Sequence, residues 1–301
     1  HINNVRLTKT DPPRPISPET IRKQKIAYNH LKGFAEARRK GKLTFGDVNM
    51  TFYDDYVEYL QIEKQQSINT AGKNIGILIS WLHAATDEGA NTNLDFLNKK
   101  FKAFKEPVHH VYLDEDELEK MAEVNLAGKP GLERARDLFL IGCRTALRYS
   151  DFTNLRAENF ADGLIHVITK KGEQDVYIPV HPQVTFIMGK YSYKLPAPIS
   201  NQKFNENIKH VAKLAGINKK EIIRKTKAGR RQTLVFEKWE LVSSHTARRT
   251  AATNFYKAGI PAHSIMKITG HTTENNFLKY IRLTGREHAE HMQRHTYFKQ
   301  K

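Results

Sequence analysis

The chain is 301 residues long, with 49 Lys and Arg against 32 Asp and Glu, a formal charge of +17 and 39% hydrophobic residues. That length allows two domains with separate cores, and no apolar run approaches the length of a bilayer span. The lone Cys143 excludes an intramolecular disulfide framework and a cysteine zinc site. Set in the apolar run RDLFLIGCRTAL, it reads as a small buried residue rather than a reactive thiol.

The positive excess favours a polyanionic partner, because each neutralised phosphate releases condensed counterions. Nucleic acid is the first candidate. An anionic membrane is second, and the lack of a lipidation motif or basic amphipathic anchor speaks against it. No signal-peptide pattern opens the chain, and His1 is not a natural start, so truncation or processing is expected.

Residues 1–16, HINNVRLTKTDPPRPI, predict an extended, proline-broken arm. Ser17 and Pro18 form a helix-start signal, and Ile26, Tyr28, Leu31, Phe34 and Ala35 follow at helical spacing. MTFYDDYVEYL and TAGKNIGILISWLHAATDEG read as further helices, so 17–106 is expected to be a helical bundle. Its arm, the ARRKGK run at 37–42, Lys64, Lys73 and KKFKAFK at 99–105 give it a basic surface. A solvated face gives the same pattern, so this region alone does not decide for nucleic acid.

Pro107 stops the bundle, and 107–112 is expected to be an extended linker in which His109 and His110 have no metal role. Asp114 and Glu117 then form a D-x-x-E capping signature. The helices DEDELEKMAEVN and GLERARDLFLIGCRTAL follow, and GLIHVITKKGEQDVYIPV alternates apolar and polar residues around a polar turn, the pattern of a β-hairpin. NQKFNENIKHVAKLAG returns to helical period, and TLVFEKWELV suggests a further short β pair. The fold class is therefore mainly α with a small antiparallel sheet: a helical N-terminal domain and a second domain over 113–301.

Several residues of the second domain could do chemistry. Arg148 follows the most apolar helix, with Asp151 three residues on, and a dipole contact or an ion pair would explain both. Lys170 and Lys171 occupy the hairpin turn. His245 and Arg248 share one face of a helix beginning near Ser243, whose amino terminus is a natural seat for phosphate; Arg249 falls about 100° away, toward solvent or backbone phosphates. Gly270 suits a helix C-cap before His271, HTT starts the next helix, and Tyr280 lies nine residues after that histidine along it. Each residue alone has a structural explanation. The ordered set is what a metal-free attack on a phosphodiester needs: a nucleophile, guanidinium forks on the non-bridging oxygens, and a proton donor for the leaving oxygen.

That ordered set resembles the tyrosine recombinase, or phage-type integrase, family. ALRYSDF looks like its first arginine box, SHTARRTAAT its H-x-x-R box, ITGHTTENNFLKYI its G-H and tyrosine box, and ITKKGEQDVYIPV its lysine hairpin. The resemblance covers about 113–290 and extends more weakly over the helical region, with a flavour similar to integrases of Bacteroidetes mobile elements. It implies Tyr280 as nucleophile, Arg148 and Arg248 as the phosphate clamp, and Lys171 as general acid, with Lys170 competing and the Ile178–Pro179 alignment favouring Lys171. It further implies His245 and His271 on phosphate oxygens or in proton transfer, and Asp151 in support of the arginines. Departures are Asp151 for the usual Glu, Ala146 for a common Gly and Thr269 for a frequent Leu; none removes a catalytic group.

The implied activity is a site-specific recombinase that cleaves and rejoins DNA through a 3′-phosphotyrosyl intermediate, integrating or excising a mobile element without cofactor or metal. The implied partners are double-stranded attachment or recombination sites, a homo-tetramer exchanging its C-terminal tail, and accessory DNA-bending proteins, in the bacterial cytoplasm with no membrane attachment. The bundle would cover one face of the duplex and the second domain the other. A chromosome-dimer or plasmid resolvase of the same family, a type IB topoisomerase and a non-catalytic DNA-binding module stay as alternatives. An arm-binding domain removed from the N-terminus would suit the integrase reading. In the tail, His288, His291 and His295 lack an acidic or cysteine partner and do not form H-E-x-x-H, so a metal reading is not favoured.

Overall fold

The computed structural model describes residues 15–39, 41–196, 198–271, 273–278, 280–281, 283, 285–293 and 296–298. The expected arm, apart from its last two residues, Lys40 of the basic run, and His295 of the tail lie outside them. The chain divides into two compact units, 1–108 with 223–234, and 109–222 with 235–301. Among the described residues no helix is long and apolar enough to cross a membrane.

The first unit contains α1 (Pro18–Arg38), α2 (Met50–Glu58), which runs on into a π-helical turn at Tyr59–Glu63, and α3 (Ile68–Asp87). Each begins on a side-chain cap: the Ser17, Asn49 and Ser67 oxygens accept the N–H groups of Thr20, Phe52 and Thr70. The core gathers Phe34, Phe52, Tyr56, Tyr59, Leu60, Ile75 and Leu78, with Phe34 edge-on to Phe52 and Tyr56 at 5.5 and 5.1 Å. The inward stripe of α1 is Ala27, Leu31, Phe34 and Ala35, whereas Ile26 and Tyr28 are exposed. Positions 27, 31, 34 and 35 keep one helical face, while 26 falls well outside it and 28 lies at its margin beside 35.

The second unit opens with α4 (Glu115–Glu123), held by the Asp114–Glu117 capping box, and α5 (Pro130–Thr145). Next come α6 (Tyr149–Phe152), β1 (Phe160–Ala161), β2 (Leu164–Ile168) and β3 (Asp175–Pro179). They are followed by α7 (Pro182–Lys190) and α8 (Asn201–Leu214); β4 (Lys220–Lys227) and β5 (Arg230–Glu237) come next in the chain, their stretch 223–234 grouping with the first unit. The last elements are α9 (Ser244–Lys257), α10 (Ala262–Thr269), α11 (Glu274–Leu278) and α12 (Gly285–Gln293).

Strands β1, β2 and β3 form one antiparallel sheet in that order. The register pairs Ile165 with Ile178 and Val167 with Val176, all buried, and His166 with Tyr177 on the outer face. β4 and β5 form a separate hairpin turning at Ala228 and Gly229, both at positive φ. This corrects the β pair expected within TLVFEKWELV: the partner precedes that stretch, and Lys238–Leu241 is a 3-10 turn. The charged run KEIIRKTK hid the partner, because none of its residues is buried and its half-buried positions include Glu221 and Lys225, so no apolar alternation marks it.

Helix α5 is the centre of this unit, with α7, α8 and α9 packed around it. Leu138, Phe139, Ile141, Cys143, Phe152, Phe204, Ile208 and Ala247 share its core, and burial pushes the Cys143 thiol well above its ordinary range. Gly142 lets α9 approach: a Cβ there would lie 2.8 Å from the Phe152 ring and 3.0 Å from the Ala247 methyl. A helical glycine costs up to ~1 kcal/mol against alanine, while overpacking a core costs about 1–3 kcal/mol. Gly142→Val is therefore expected to lower unfolding stability by about 1–3 kcal/mol in urea denaturation. Unchanged or raised stability would mean that the α5–α9 approach is not set by this residue.

Candidate active site

Helix α5 does not continue to Arg148. It ends on Ala146, whose backbone is left-handed at φ +56°, and Arg148 becomes the residue before the first turn of α6. Left-handed backbone is where glycine is cheapest, which gives a physical reason for a glycine to be common at this place. The break also corrects the ion pair considered between Arg148 and Asp151. Asp151 is 4% exposed, and its Oδ1 accepts from the Lys170 backbone N–H at 3.1 Å and from the Ser150 hydroxyl. It bonds the lysine turn rather than Arg148, and its charge favours the protonated form of Arg248.

The turn between β2 and β3 carries Lys170 and Lys171, both exposed. The Arg148 guanidinium reaches the Lys171 carbonyl at 3.5 Å, and within the turn the Thr169 N–H donates to the Gln174 carbonyl at 2.9 Å. Across from it, Gly270 caps α10 at φ +62°, and a Cβ at that position would fall 2.0 Å from Gln174 Oε1. The glycine thus meets two demands, backbone handedness and a close approach to the turn.

Helix α9 begins one residue after Ser243, as its sequence indicates, with Ser243 and Thr246 exchanging cap hydrogen bonds. Thr246, Ala247, Thr250 and Ala251 bury one face, and Arg248 is carried inside with them at 3% exposure. Its Nη1 donates to the Ala146 carbonyl at 2.7 Å. Its Nε has no partner, and neither has Asp151 Oδ2. Burial and the Arg148 charge weaken the hold of Arg248 on its proton, opposed by Tyr280 and Asp151, and a hydrogen bond links Arg248 with Tyr280.

Tyr280 does not lie on a long helix, as expected from its spacing. Helix α11 stops at Leu278, and the Tyr280 N–H closes a turn onto the Phe277 carbonyl at 2.7 Å. Buried Phe277 and Ile281 pin the turn into a small cluster with Ala252 and Ile265. The Tyr280 ring stands 4.5 Å from the His271 ring, centroid to centroid, and 5.6 Å from the Arg249 guanidinium carbon. Arg249, read as facing solvent, instead packs over this phenol, a contact that helical spacing within α9 could not reveal.

The charges meet at the two histidines. His245 is partly open to solvent, yet surrounding protein, then Arg249, Arg248, Arg148 and Lys171, disfavour its protonated form. Burial, then Arg248 and Arg148, lowers His271 to about 4. Thr269, noted in sequence only as a departure from Leu, places its buried hydroxyl 2.7 Å from His271 Nδ1. All seven expected residues, Arg148, Asp151, Lys171, His245, Arg248, His271 and Tyr280, thus fall in one region of the second unit, joined by Arg249 and Thr269. Among the described residues no ion pair with a carboxylate neutralises Arg148, Lys171 or Arg248. Such a site suits a dianionic or monoanionic oxyanion held by guanidinium forks, with a phenol at hand.

In the tail, Glu287 of α12 accepts from the Tyr112 hydroxyl at 2.6 Å, and His288 stands edge-on to Tyr256. No group of three His, Cys, Asp or Glu side chains suited to a metal occurs among the described residues.

Solved structures of similar fold include a Tn1549 transposon integrase in complex with a circular intermediate DNA, 16% identical, with TM-score 0.67 and coverage of 93% of this chain and 95% of that one. A lambda integrase dimer bound to a COC′ core site is 17% identical, with TM-score 0.64 and coverage of 91% and 92%. XerH recombinase bound to a palindromic difH substrate is 14% identical, with TM-score 0.61 and coverage of 91% and 79%. At these identities the likeness is one of fold, and no curated protein matches the chain. Residues 3–107 match the phage integrase SAM-like domain and residues 111–287 match the phage integrase family, so the chain belongs to that family, the tyrosine recombinases.

Proposed function

We propose that the protein is a site-specific DNA recombinase that integrates or excises a mobile element through a 3′-phosphotyrosyl intermediate. The observation that carries this is the cluster of Arg148, Lys171, His245 and Arg248, without an ion-paired carboxylate among the described residues, converging on Tyr280 and His271. A scissile phosphate held there supplies the missing negative charge.

Tyr280 attacks phosphorus, its oxygen forming the new P–O bond as the bond to the 5′ oxygen breaks. Arg148 and Arg248 hold the non-bridging oxygens, whose charge grows in the transition state. The leaving 5′ oxygen takes a proton from Lys171, which is among the charges acting on His245, whereas the backbone of Lys170 is tied to Asp151. Attack of a partner strand's 5′-hydroxyl on the phosphotyrosine then restores a phosphodiester and the free phenol. One ester is exchanged for another, so the scheme calls for no ATP and no metal.

The chain-wide charge supports a phosphate-dominated hold on double-stranded DNA, with specificity from a few groove contacts and from bending. Strand exchange joins two cleaved duplexes, so the working form is a tetramer in which α12 docks on a neighbouring copy. Its place of work is the bacterial cytoplasm, on the nucleoid.

Arg148→Ala and Arg248→Ala are each expected to slow single-turnover cleavage by about a hundredfold to a thousandfold while leaving DNA affinity within a few fold. Because Arg248 is buried, Arg248→Lys is compared for folding. Equal losses in binding and cleavage would reduce these arginines to backbone anchors.

Lys171→Ala is expected to be severely slow on ordinary DNA and nearly restored on DNA with a bridging 5′-sulfur, in EDTA throughout, because a thiolate leaves without a proton. Lys170→Ala should show no such rescue. Rescue of Lys170→Ala instead would move the acid by one residue, and a Mg²⁺ requirement in the chemical step would contradict the mechanism.

A further inference from the structure

Two arginines follow one another on α9, and they meet Tyr280 from different sides. Arg248 is buried, and a hydrogen bond links it to Tyr280. Arg249 stands about 100° further round the helix. That is the side from which α9 meets the Tyr280 segment, because Ala252, three residues on, shares a buried cluster with Phe277 and Ile281.

Two observations put the Arg249 guanidinium inside the site. Its carbon lies over the Tyr280 ring, 5.6 Å from the ring centre, and the residue is half-buried. His245 lies four residues earlier on the same side of α9. Burial, and then Arg249 ahead of Arg248, Arg148 and Lys171, disfavours the protonated form of that histidine. One guanidinium thus lies close to both His245 and the nucleophile.

We propose, resting on the recombinase reading above, that Arg249 is a positioning residue for the nucleophile: its guanidinium lies on the face of the Tyr280 ring and holds the phenol where it attacks. A tyrosine side chain turns about two torsions, and the turn closed by the Tyr280 N–H on the Phe277 carbonyl fixes only the backbone. The ring is held by its surroundings: His271 stands at its edge, 4.5 Å away between centroids, Arg248 bonds it, and Arg249 covers a face. In the mechanism above Arg248 is also required by the scissile phosphate, so its bond to the tyrosine must be shared when DNA binds. A contact on the face has no such conflict, since it leaves the phenol oxygen free to reach phosphorus.

The chemistry of the contact suits the step. A guanidinium is planar, stacks on an aromatic face and keeps its charge at every working pH. As the phenol gives up its proton the ring gains negative charge, and a cation on its face attracts it more strongly. The contact is then tighter in the attacking form than at rest, the condition under which an interaction speeds a reaction.

The contact is read by ¹H–¹⁵N NMR of the intact, arginine-labelled protein, with the Arg249 side-chain signals assigned by their loss in Arg249→Lys. The ring is expected to shift those signals upfield. The shift should remain in Tyr280→Phe, which keeps the ring, and disappear in Tyr280→Leu. The role is read by single-turnover cleavage of nicked suicide DNA at saturating protein. Arg249→Gln is expected to cleave about tenfold more slowly, the loss that matches a well-formed cation–π contact, with DNA affinity and urea midpoint close to wild type. Arg249→Lys should recover part of the rate. The Arg249→Gln defect should persist on sulfur-bridged DNA, because it lies on the nucleophile's side. Arg249 signals that do not respond to Tyr280→Leu would overturn the inference. So would wild-type cleavage by Arg249→Gln, an equal loss of affinity and cleavage, or rescue by the sulfur bridge. If the wild-type protein cleaves no attachment-site DNA, the recombinase reading fails instead, and the Arg249 spectrum still decides whether the guanidinium holds the ring.

Discussion

Positive charge held without compensation is the constraint around which the second unit is arranged. Arg248 is carried inside on α9 and repelled by Arg148, and burial together with the same cations disfavours the protonated form of two histidines. Holding like charges together in a partly dehydrated place costs folding free energy, and among the described residues no ion-paired carboxylate offsets it, Asp151 only partly relieving Arg248. The only buried acid in this group, Asp151, spends one oxygen on the backbone of the lysine turn. A bound phosphodiester would remove the repulsion, so binding energy and catalytic preorganisation have one source. Strain of this kind is what a site pays for being ready before its substrate arrives.

The scaffold meets that cost with ordinary packing. Gly142 allows α5 and α9 to approach, Ala146 turns the chain so that its carbonyl receives Arg248, and α6 then starts at Arg148. Arg148 and Arg248, far apart in sequence, are thereby tied to one helix end. On the other side, Gly270 lets α10 meet Gln174 of the lysine turn, and Phe277 anchors the short helix that delivers Tyr280. Arg148, His245 and His271 each lie within two residues of a buried one, Leu147, Thr246 and Thr269, which is how side chains at a surface stay rigid.

Much of this was legible in the sequence, for identifiable reasons. Capping signals marked the starts of α1, α4 and α9, because an oxygen side chain at a helix start has a local partner two or three residues on. The lysine hairpin was legible because Ile165, Val167, Val176 and Ile178 alternate with exposed residues. What spacing could not give was tertiary. The partnership of Asp151 with the lysine turn, Arg249 over Tyr280, and Thr269 on His271 all join residues whose separation along the chain or around a helix says nothing of contact. The early end of α11 was equally hidden, since FLKYI reads as helix until Phe277 and Ile281 turn toward the small cluster. The β4 strand was missed because an exposed, charged hairpin carries no core pattern.

The central claim is that the phenol of Tyr280 becomes covalently bound to a DNA 3′ phosphate. It is tested most directly by incubating the protein in EDTA with nicked suicide DNA drawn from the sequences flanking its gene, then digesting and sequencing the adduct by mass spectrometry. The account predicts a nucleotide carried on Tyr280 through its 3′ phosphate, and no adduct from a Tyr280→Phe protein that still binds the same DNA. An adduct on another residue, or one that forms undiminished in Tyr280→Phe, would contradict it.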